Sequence, residues 1–205
     1  MRRLIVGMTG ATGAILGVRL LEALKDEGVE THLVISKWAQ RNIEHETSYS
    51  MDQVHALATV SHGVANMGAT ISSGSFHTDG MIVIPCSMRT LAAISNGYGE
   101  NLLHRAADVT LKERRRLVLV AREMPLSDVH LENMLKLSRM GVTIMPPMPS
   151  FYNYPQSVAD IIDHIVARVL DQFNIAAPFI KRWDGRMQNV AKATANDKNN
   201  ETEKD

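Results

Sequence analysis

LIVGMTGATGAILG, residues 4–17, passes from an apolar run through a loop of small residues into an amphipathic segment. The apolar run has the length of a buried strand. Leucines recur at helical spacing after the loop, at Leu16, Leu20, Leu21 and Leu24. Gly28 then supplies a signal typical of a helix end. A strand, a glycine-containing turn and a helix in this order indicate a parallel α/β sheet.

The same alternation continues along the chain. Further apolar runs predict four buried strands, at residues 31–35, 81–84, 117–120 and 142–145. Pro85 is expected to stop the second of these and Pro146 the last. Amphipathic segments predict helices at residues 37–45, 50–60, 101–114, 127–140 and 157–172. The prediction is therefore a single-domain α/β fold with a doubly wound parallel sheet, flavodoxin-like or Rossmann-like.

The composition excludes several classes of function. The 205 residues contain 22 Lys and Arg and 22 Asp and Glu, so the formal net charge is zero. A binder of nucleic acid or of an anionic membrane draws its affinity from a basic surplus, which this chain lacks. The single cysteine, Cys86, excludes an internal disulfide and a multi-cysteine zinc site, and the histidines show no ligand spacing, so we expect no metal.

The two ends of the chain carry no targeting or packing signal. The N-terminus lacks the cleavage site of a signal peptide, and no segment has the apolar length of a membrane span, so we expect a cytoplasmic protein. Residues 186–205 are rich in Lys, Asn, Asp, Glu and Thr. Such a segment buries too little apolar surface to offset its chain entropy. We predict a folded domain over residues 1–185 and a disordered polar tail over residues 186–205.

Hydroxyl, glycine and charged residues gather where the predicted strands end. These segments are residues 9–14, Ser36-Lys37, residues 85–90 and Arg122-Glu123, with a serine-rich loop at residues 72–75. Ligands of open parallel sheets bind beyond the carboxyl ends of the strands, where helix N-termini offer free N–H groups to a phosphate. The pattern favours a phosphate-bearing ligand over the alternative that these are only turn and capping residues.

Three further features leave alternatives open. The first loop would also suit a short-chain oxidoreductase, but Ser36-Lys37 replaces the expected acid and no tyrosine has a lysine four positions later. Arg105 and Lys112 share one face of a predicted helix, where they can meet an anionic ligand or pair with neighbouring acids. Glu123 follows an apolar strand, where burial can raise its pKa for acid or base catalysis, or it can pair with an arginine.

Longer motifs resemble those of the UbiX-type flavin prenyltransferases, in particular the members paired with phenolic-acid decarboxylases and once described as decarboxylase subunits themselves. The motifs are residues 9–14, 72–75, 85–87, 105–115, 122–123, 130–134 and 149–157. They occur in unbroken order, and the resemblance runs from about residue 3 to Trp183.

The resemblance implies an activity and an assembly. It implies a flavodoxin-like sheet that binds FMN and a metal-independent transfer of a dimethylallyl group from dimethylallyl phosphate to N5 and C6 of reduced FMN. The product, prenyl-FMN, would serve a UbiD-type decarboxylase of aromatic acids. The resemblance also implies a homo-dodecamer with active sites at subunit junctions.

The resemblance also implies roles for individual residues. Flavin-binding positions are Gly10, Ala11, Thr12, Ser36, Ser87, Met88, Arg89, Thr90 and Arg122. Positions for dimethylallyl phosphate are Arg105, Lys112, Tyr152 and Arg168, and catalytic positions are Glu46, Ser73, Lys112, Glu123 and Trp183. The cations suit a departing phosphate dianion, and the Trp183 ring suits an allylic cation. Glu123 suits transfer of a proton.

Two alternative functions share this fold. One is an FMN-dependent decarboxylase of the cysteine-decarboxylase superfamily, although the chain has no motif similar to that superfamily's Pro-Ala-Ser-Ala-Asn-Thr substrate segment. The other is a non-catalytic flavin-carrying decarboxylase subunit. A carrier would need neither Glu123 nor Lys112 nor Tyr152, all of which this chain retains.

Overall fold

The computed structural model of the protein describes residues 2–185. Six strands occur within them: β1 (Arg3–Met8), β2 (Glu30–Ile35), β3 (Val60–His62), β4 (Gly80–Cys86), β5 (Arg116–Ala121) and β6 (Thr143–Ile144). The α-helices of this region are α1 (Ala14–Asp26), α2 (Lys37–Glu46), α3 (Met51–Leu57), α4 (Met88–Ser95), α5 (Leu102–Lys112), α6 (Asp128–Arg139) and α7 (Val158–Asp171).

The strands form one parallel sheet in the order β3-β2-β1-β4-β5-β6. The chain therefore winds outward from β1 in one direction and from β4 in the other. Apart from the short edge strand β3, the order is that of the flavodoxin-like folds. The predicted doubly wound parallel α/β sheet is confirmed. Its topological switch point lies between the carboxyl ends of β1 and β4, where such sheets bind ligands.

Two apolar cores cover the two faces of the sheet. One core joins α1 and α7 to the side chains of Leu4, Val6 and Met8 from β1. The other joins α4, α5 and α6 to the opposite face, which Ile5 enters. This alternation along β1 follows from the two-residue period of a strand that is buried on both sides. Helices α5 and α7 consequently lie on opposite faces of the sheet.

Several boundaries differ from those predicted. Pro85 does not stop β4, because the ladder with β5 is irregular between Val83 and Cys86 and needs no N–H at Pro85. Helix α3 ends at Leu57, three residues before the predicted end, and the chain then forms β3.

The sequence did not predict two of the elements, β3 and α4, and it predicted too great a length for β6. Strand β3 has only three residues and none of them is buried, so it carries no apolar signal. Helix α4 directly follows Ser87 and was predicted as part of a loop, although Ser87 caps it. Strand β6 has two residues instead of four. The predicted tail, residues 186–205, lies outside the described residues.

No helix in the described part of the chain combines the length and the apolar composition needed to cross a membrane.

Candidate functional site

Hydrogen bonds tie together the loops at the switch point. The Thr9 hydroxyl donates to the Pro85 carbonyl at 2.8 Å and accepts the Ser87 N–H at 2.8 Å. The Ser36 N–H donates to the Met8 carbonyl at 3.0 Å. These hydrogen bonds hold the ends of β1, β2 and β4 in one arrangement.

Two of the hydroxyl residues cap helices that begin at this edge. The Ser36 Oγ accepts the Ala39 N–H at 3.2 Å, and the Ser87 Oγ accepts the Thr90 N–H at 3.3 Å. Ser36 and Ser87 are therefore capping residues, as one alternative held. A single cap still leaves other N–H groups of the first turn without an intrahelical partner. The N-termini of α2 and α4 therefore still offer donors to an anion.

The N-terminus of α1 differs from the prediction. The loop before it was expected to offer free N–H groups to a phosphate, but Glu46 accepts two of them. Its Oε2 accepts the Gly13 N–H at 2.8 Å and the Ala14 N–H at 2.9 Å. A carboxylate stabilises the positive end of a helix as a phosphate does. The sequence distance between Glu46 and Gly13 concealed this contact.

The hydrogen bonds to Glu46 also set its protonation. Partial desolvation alone would raise the pKa of this carboxyl. Hydrogen bonds from the Ala14 N–H, the Thr12 hydroxyl and the Gly13 N–H outweigh that effect and hold the pKa below its ordinary value. Glu46 is therefore a carboxylate at neutral pH.

A cavity of about 610 Å³ opens beside these loops. It is lined by Thr9, Gly10, Ser36, Lys37, Trp38, Val64, Ala65, Ser87, Arg89, Thr90, Glu100, Asn101 and His104. The lining includes five of the predicted flavin positions, namely Gly10, Ser36, Ser87, Arg89 and Thr90. A cavity of this size, with hydroxyl groups on one part and apolar side chains on another, is typical of a small-molecule site.

The other predicted flavin positions lie around this cavity. Met88 is buried in the core between α4 and the sheet, so its side chain is a packing group. The Ala11 carbonyl accepts the Asn42 side-chain amide at 2.9 Å, and Thr12 contacts Glu46. Arg122 is exposed, and its N–H donates to the Cys86 carbonyl at 3.0 Å.

Gly10 is required by the close approach of Trp38. A Cβ at position 10 would lie 2.6 Å from the Trp38 Cβ, which is closer than two carbon atoms can approach. Trp38 is 63% exposed at the cavity, and the Arg41 guanidinium lies 5.2 Å from its ring centroid. Trp38 was not predicted as a lining residue, although a rare tryptophan directly after a strand end was a usable signal.

Arg105 and Lys112 lie beside the serine-rich loop, with their charges paired. The Arg105 Nε donates to the Ser72 carbonyl at 3.1 Å, and its Nη1 lies 2.7 Å from the Asp108 Oδ2. Lys112 pairs with Glu113. In the single chain both cations therefore pair with neighbouring acids, as one of the two alternatives held. Both pairs are partly exposed to solvent, where such pairs contribute little to stability.

The predicted catalytic residue Ser73 belongs to the same cluster. A Cβ on the adjacent Gly74 would lie 2.8 Å from the Lys112 Nζ, so this loop lies directly against the lysine. The Ser73 and Ser75 hydroxyls are 2.9 Å apart, and Ser73 is exposed. A hydroxyl pair beside a lysine is suited to phosphate oxygens.

A second cluster lies at α7. The Tyr152 and Trp183 rings meet edge to face with centroids 5.7 Å apart, and the Tyr152 hydroxyl is 3.3 Å from the His164 Nε2. The Arg168 Nη1 lies 2.6 Å from the Asp171 Oδ2. Tyr152 and Trp183 are about half exposed, so their ring faces are open to a ligand or to another chain.

The single chain does not bring these clusters together. Arg168 lies on α7 and Lys112 on α5, which pack on opposite faces of the sheet. Helix α5 also runs back from the carboxyl edge to the start of β5. Its first turn therefore lies at the cavity, whereas Lys112 lies toward the amino edge.

Glu123 lies two residues after the end of β5 and is not buried. Its side chain is exposed, and its Oε1 accepts the Met124 N–H at 3.2 Å. The burial that one of the two alternatives required is absent, because the chain leaves the sheet after Ala121. No ion pair to Arg122 or Arg105 forms within residues 2–185. The same region contains no group of three or more histidine, cysteine, aspartate or glutamate side chains placed to hold a metal.

A doubly wound sheet with such a cavity at its switch point is typical of proteins that bind a nucleotide-like or flavin ligand. A family model described as Flavoprotein matches residues 1–170. A probable UbiX-like flavin prenyltransferase of Streptomyces sp. strain D7 is 65% identical over 184 residues, which is 89% of this chain and 92% of the relative.

Two solved structures have closely similar folds. A dodecameric FMN-dependent UbiX-like decarboxylase from Escherichia coli O157:H7 has a TM-score of 0.88 at 66% identity and covers 89% of this chain and 100% of its own. AnUbiX in complex with FMN and dimethylallyl pyrophosphate has a TM-score of 0.89 at 55% identity, with 90% and 98% covered. The chain therefore belongs to the flavoprotein family and, within it, to the UbiX-like flavin prenyltransferases, which confirms the resemblance.

Proposed function

We propose that the protein transfers a dimethylallyl group from dimethylallyl phosphate to N5 and C6 of reduced FMN. The allylic C–O bond breaks, the bond to N5 forms and the N5 proton leaves. The bond to C6 forms at the expense of the allyl double bond, whose other carbon takes up a proton as the C6 proton leaves. The flavin therefore gains C5H8, and the departing phosphate takes up the remaining proton. The observation that carries this proposal is the cavity of about 610 Å³ at the switch point, in a chain of this family.

The lining of the cavity fits FMN. The Ser36, Ser87 and Thr90 hydroxyls lie at the N-termini of α2 and α4, which suits the phosphate of FMN. Gly10 lines the cavity and makes room for Trp38, which lines it as well. Val64 and Ala65 supply apolar surface for a flat ring. In this proposal the backbone at Ala11, Thr12, Met88 and Arg89 and the Arg122 side chain complete the flavin site.

Residues of the two remaining clusters would hold dimethylallyl phosphate. Arg105, Lys112 and Ser73 offer donors to the phosphate, and Arg168 adds a third cation. Basic groups that neutralise the departing phosphate remove the need for a metal. The faces of Tyr152 and Trp183 can stabilise positive charge on the allyl group.

Two carboxylates have different tasks in this proposal. Glu123 is solvent-accessible at the carboxyl edge, where it can take a proton from the flavin and pass it to the phosphate. Glu46 holds the first loop in shape through the N–H groups of Gly13 and Ala14.

The site needs more than one chain. Lys112 and Arg168 lie on opposite faces of one sheet, so a single pocket that contains both requires at least two protomers. The similar structure from Escherichia coli O157:H7 is described as dodecameric. We infer a homo-dodecamer with active sites at subunit junctions.

The product implies a consumer. Prenyl-FMN made by this protein would serve a UbiD-type aromatic-acid decarboxylase. Transfer of prenyl-FMN would be tested by adding the protein's product to a UbiD-type decarboxylase that was expressed without prenyl-FMN.

The proposal includes a cytoplasmic location, which cell fractionation would test.

Release of phosphate separates the three candidate functions. The protein is incubated with dimethylallyl phosphate, with and without reduced FMN, and inorganic phosphate is measured. A prenyltransferase releases phosphate only when reduced FMN is present, and one equivalent for each flavin. An FMN-dependent decarboxylase releases carbon dioxide from a cysteine-containing peptide instead. A flavin carrier does neither, and that result would contradict the proposal.

A further inference from the structure

His104 lies in the wall of the cavity at the start of α5. The Asn101 Oδ1 accepts the His104 N–H at 3.0 Å, and both residues line the cavity. The Leu102 N–H donates to the Val64 carbonyl at 2.9 Å, which joins the first turn of α5 to the loop after β3. Val64 and His104 therefore belong to one wall, which the family resemblance did not include.

The His104 ring has no hydrogen-bond partner within residues 2–185. The residue is only 5% exposed, and its Nδ1 is closed off from solvent without a partner. Buried polar atoms of folded proteins are almost always paired, because an unpaired one loses its hydration without compensation. Because Nδ1 is closed off, the ring atom left to contact a ligand in the cavity is Nε2, which also forms no hydrogen bond within residues 2–185.

The environment of His104 favours a neutral ring. Burial lowers the pKa of His104. Glu100 raises this pKa in part and Arg89 lowers it, and these two residues pair with each other at 3.0 Å. A neutral imidazole has one donor and one acceptor. It suits the polar edge of a neutral ring better than it suits a phosphate.

The lining of the cavity contains two kinds of groups. The Ser36, Ser87 and Thr90 hydroxyls and the helix N-termini form the part suited to a phosphate. Val64 and His104 form an apolar wall with an unpaired imidazole. A flavin has the same division, with a phosphate at one end and, at the other, a flat ring with polar atoms on its pyrimidine edge.

We propose that His104 is a flavin-binding residue whose imidazole forms a hydrogen bond with a polar atom of the flavin ring system. This inference rests on the proposed function, because it takes FMN as the molecule in the cavity. It adds a contact to the ring, whereas the loops at the strand ends contact the phosphate.

The test measures binding of oxidised FMN and of riboflavin, which lacks the phosphate, to the intact oligomer by quenching of flavin fluorescence. His104→Leu should raise the Kd of both flavins by the same factor, about tenfold for one hydrogen bond in a buried site. His104→Gln keeps a donor and an acceptor and should stay within about threefold of the wild type. The exposed His77 provides the matched control, and His77→Leu should leave both values unchanged.

The absorption band of the bound flavin gives a second readout. His104→Leu should shift this band, because a hydrogen bond to the ring changes its electronic spectrum, whereas a lost phosphate contact would not. If His104→Leu fails to assemble, His104→Ala takes its place. An unchanged FMN Kd, a loss confined to FMN, or an equal loss in the glutamine variant would each overturn the inference. Failure of prenyl transfer in a wild-type protein that binds FMN would contradict the proposed function alone.

Discussion

The Glu46 carboxylate closes the N-terminus of α1, where its Oε2 accepts the Gly13 N–H at 2.8 Å. In a sheet of this kind the turn after β1 is the usual place for a phosphate. Here a side chain from α2 holds that position. Two N–H groups of this turn are therefore not free for a phosphate in the neighbouring cavity, whereas the N-termini of α2 and α4, which Ser36 and Ser87 cap, still offer donors.

Replacing Glu46 tests this relationship through stability. Because the pKa of Glu46 is lowered in the folded chain, the carboxylate stabilises the fold at pH values above 4.5, and this contribution is lost as the pH falls through the lowered value. Glu46→Gln should lower the free energy of unfolding at pH 7 by about 0.5 kcal/mol, a small effect because the side chain is exposed and screened. Urea unfolding between pH 7 and pH 3 measures this difference, which should shrink in acid. A difference that grows in acid would contradict the assignment.

Gly10→Ala tests the close approach of the first loop to Trp38. The new Cβ would lie 2.6 Å from the Trp38 Cβ, so the loop or the indole must move. We expect the Kd for FMN to rise at least about tenfold, since the displaced loop forms part of the cavity. Gly68→Ala is the matched control, because a Cβ there meets only ordinary contacts at 3.6 Å. Equal FMN affinity in the two variants would show that the loop is not a flavin contact.

Lys112→Ala tests the assignment of the α5 cluster to dimethylallyl phosphate. Loss of one charged donor to a phosphate should lower kcat/KM for dimethylallyl phosphate about ten- to hundredfold. The Kd for FMN should stay unchanged, because Lys112 lies toward the far end of α5 from the cavity. Lys25→Ala removes a lysine whose Nζ donates to the Ala56 carbonyl, and it should leave both constants unchanged. A loss of FMN affinity with normal use of dimethylallyl phosphate would refute the assignment.

Mixed oligomers test whether one site draws on two chains. Lys112→Ala and Arg168→Ala should each lose most of the activity. When the two variants are unfolded together and reassembled, some sites receive a native Lys112 from one chain and a native Arg168 from the other. Those sites should regain activity, up to about a quarter of the wild type for random mixing in pairs. No recovery in verified mixed oligomers would place both residues of a site on one chain.

The sequence was sufficient where a signal was local. Apolar runs located five of the strands, and Ser50, Ser127 and Ser157 start helices as capping residues do. Five of the predicted flavin positions line one cavity because the ends of parallel strands meet at one edge. These features depend on short segments and on a general rule of sheet geometry.

The remaining features depend on contacts between distant segments. Nothing near Gly13 indicates Glu46, and nothing near Val64 indicates His104, because each pair meets only through the packing of separate elements. The sequence also left burial of Glu123 and its pairing with an arginine as open alternatives, since burial of a residue just beyond a strand depends on what covers that edge. The sequence of one chain also cannot predict whether Lys112 and Arg168 meet, because in the proposed assembly this depends on a second chain.

Glu123→Gln keeps the size and hydrogen-bonding atoms of the side chain but cannot accept a proton at neutral pH, so it should slow the reaction about a hundred- to ten-thousandfold.

The mass of the flavin after reaction tests the central claim most directly. With the wild-type protein, reduced FMN and dimethylallyl phosphate, flavin extracted at completion should be heavier by one C5H8 unit. Flavin of unchanged mass from a wild-type protein with FMN bound would contradict the account.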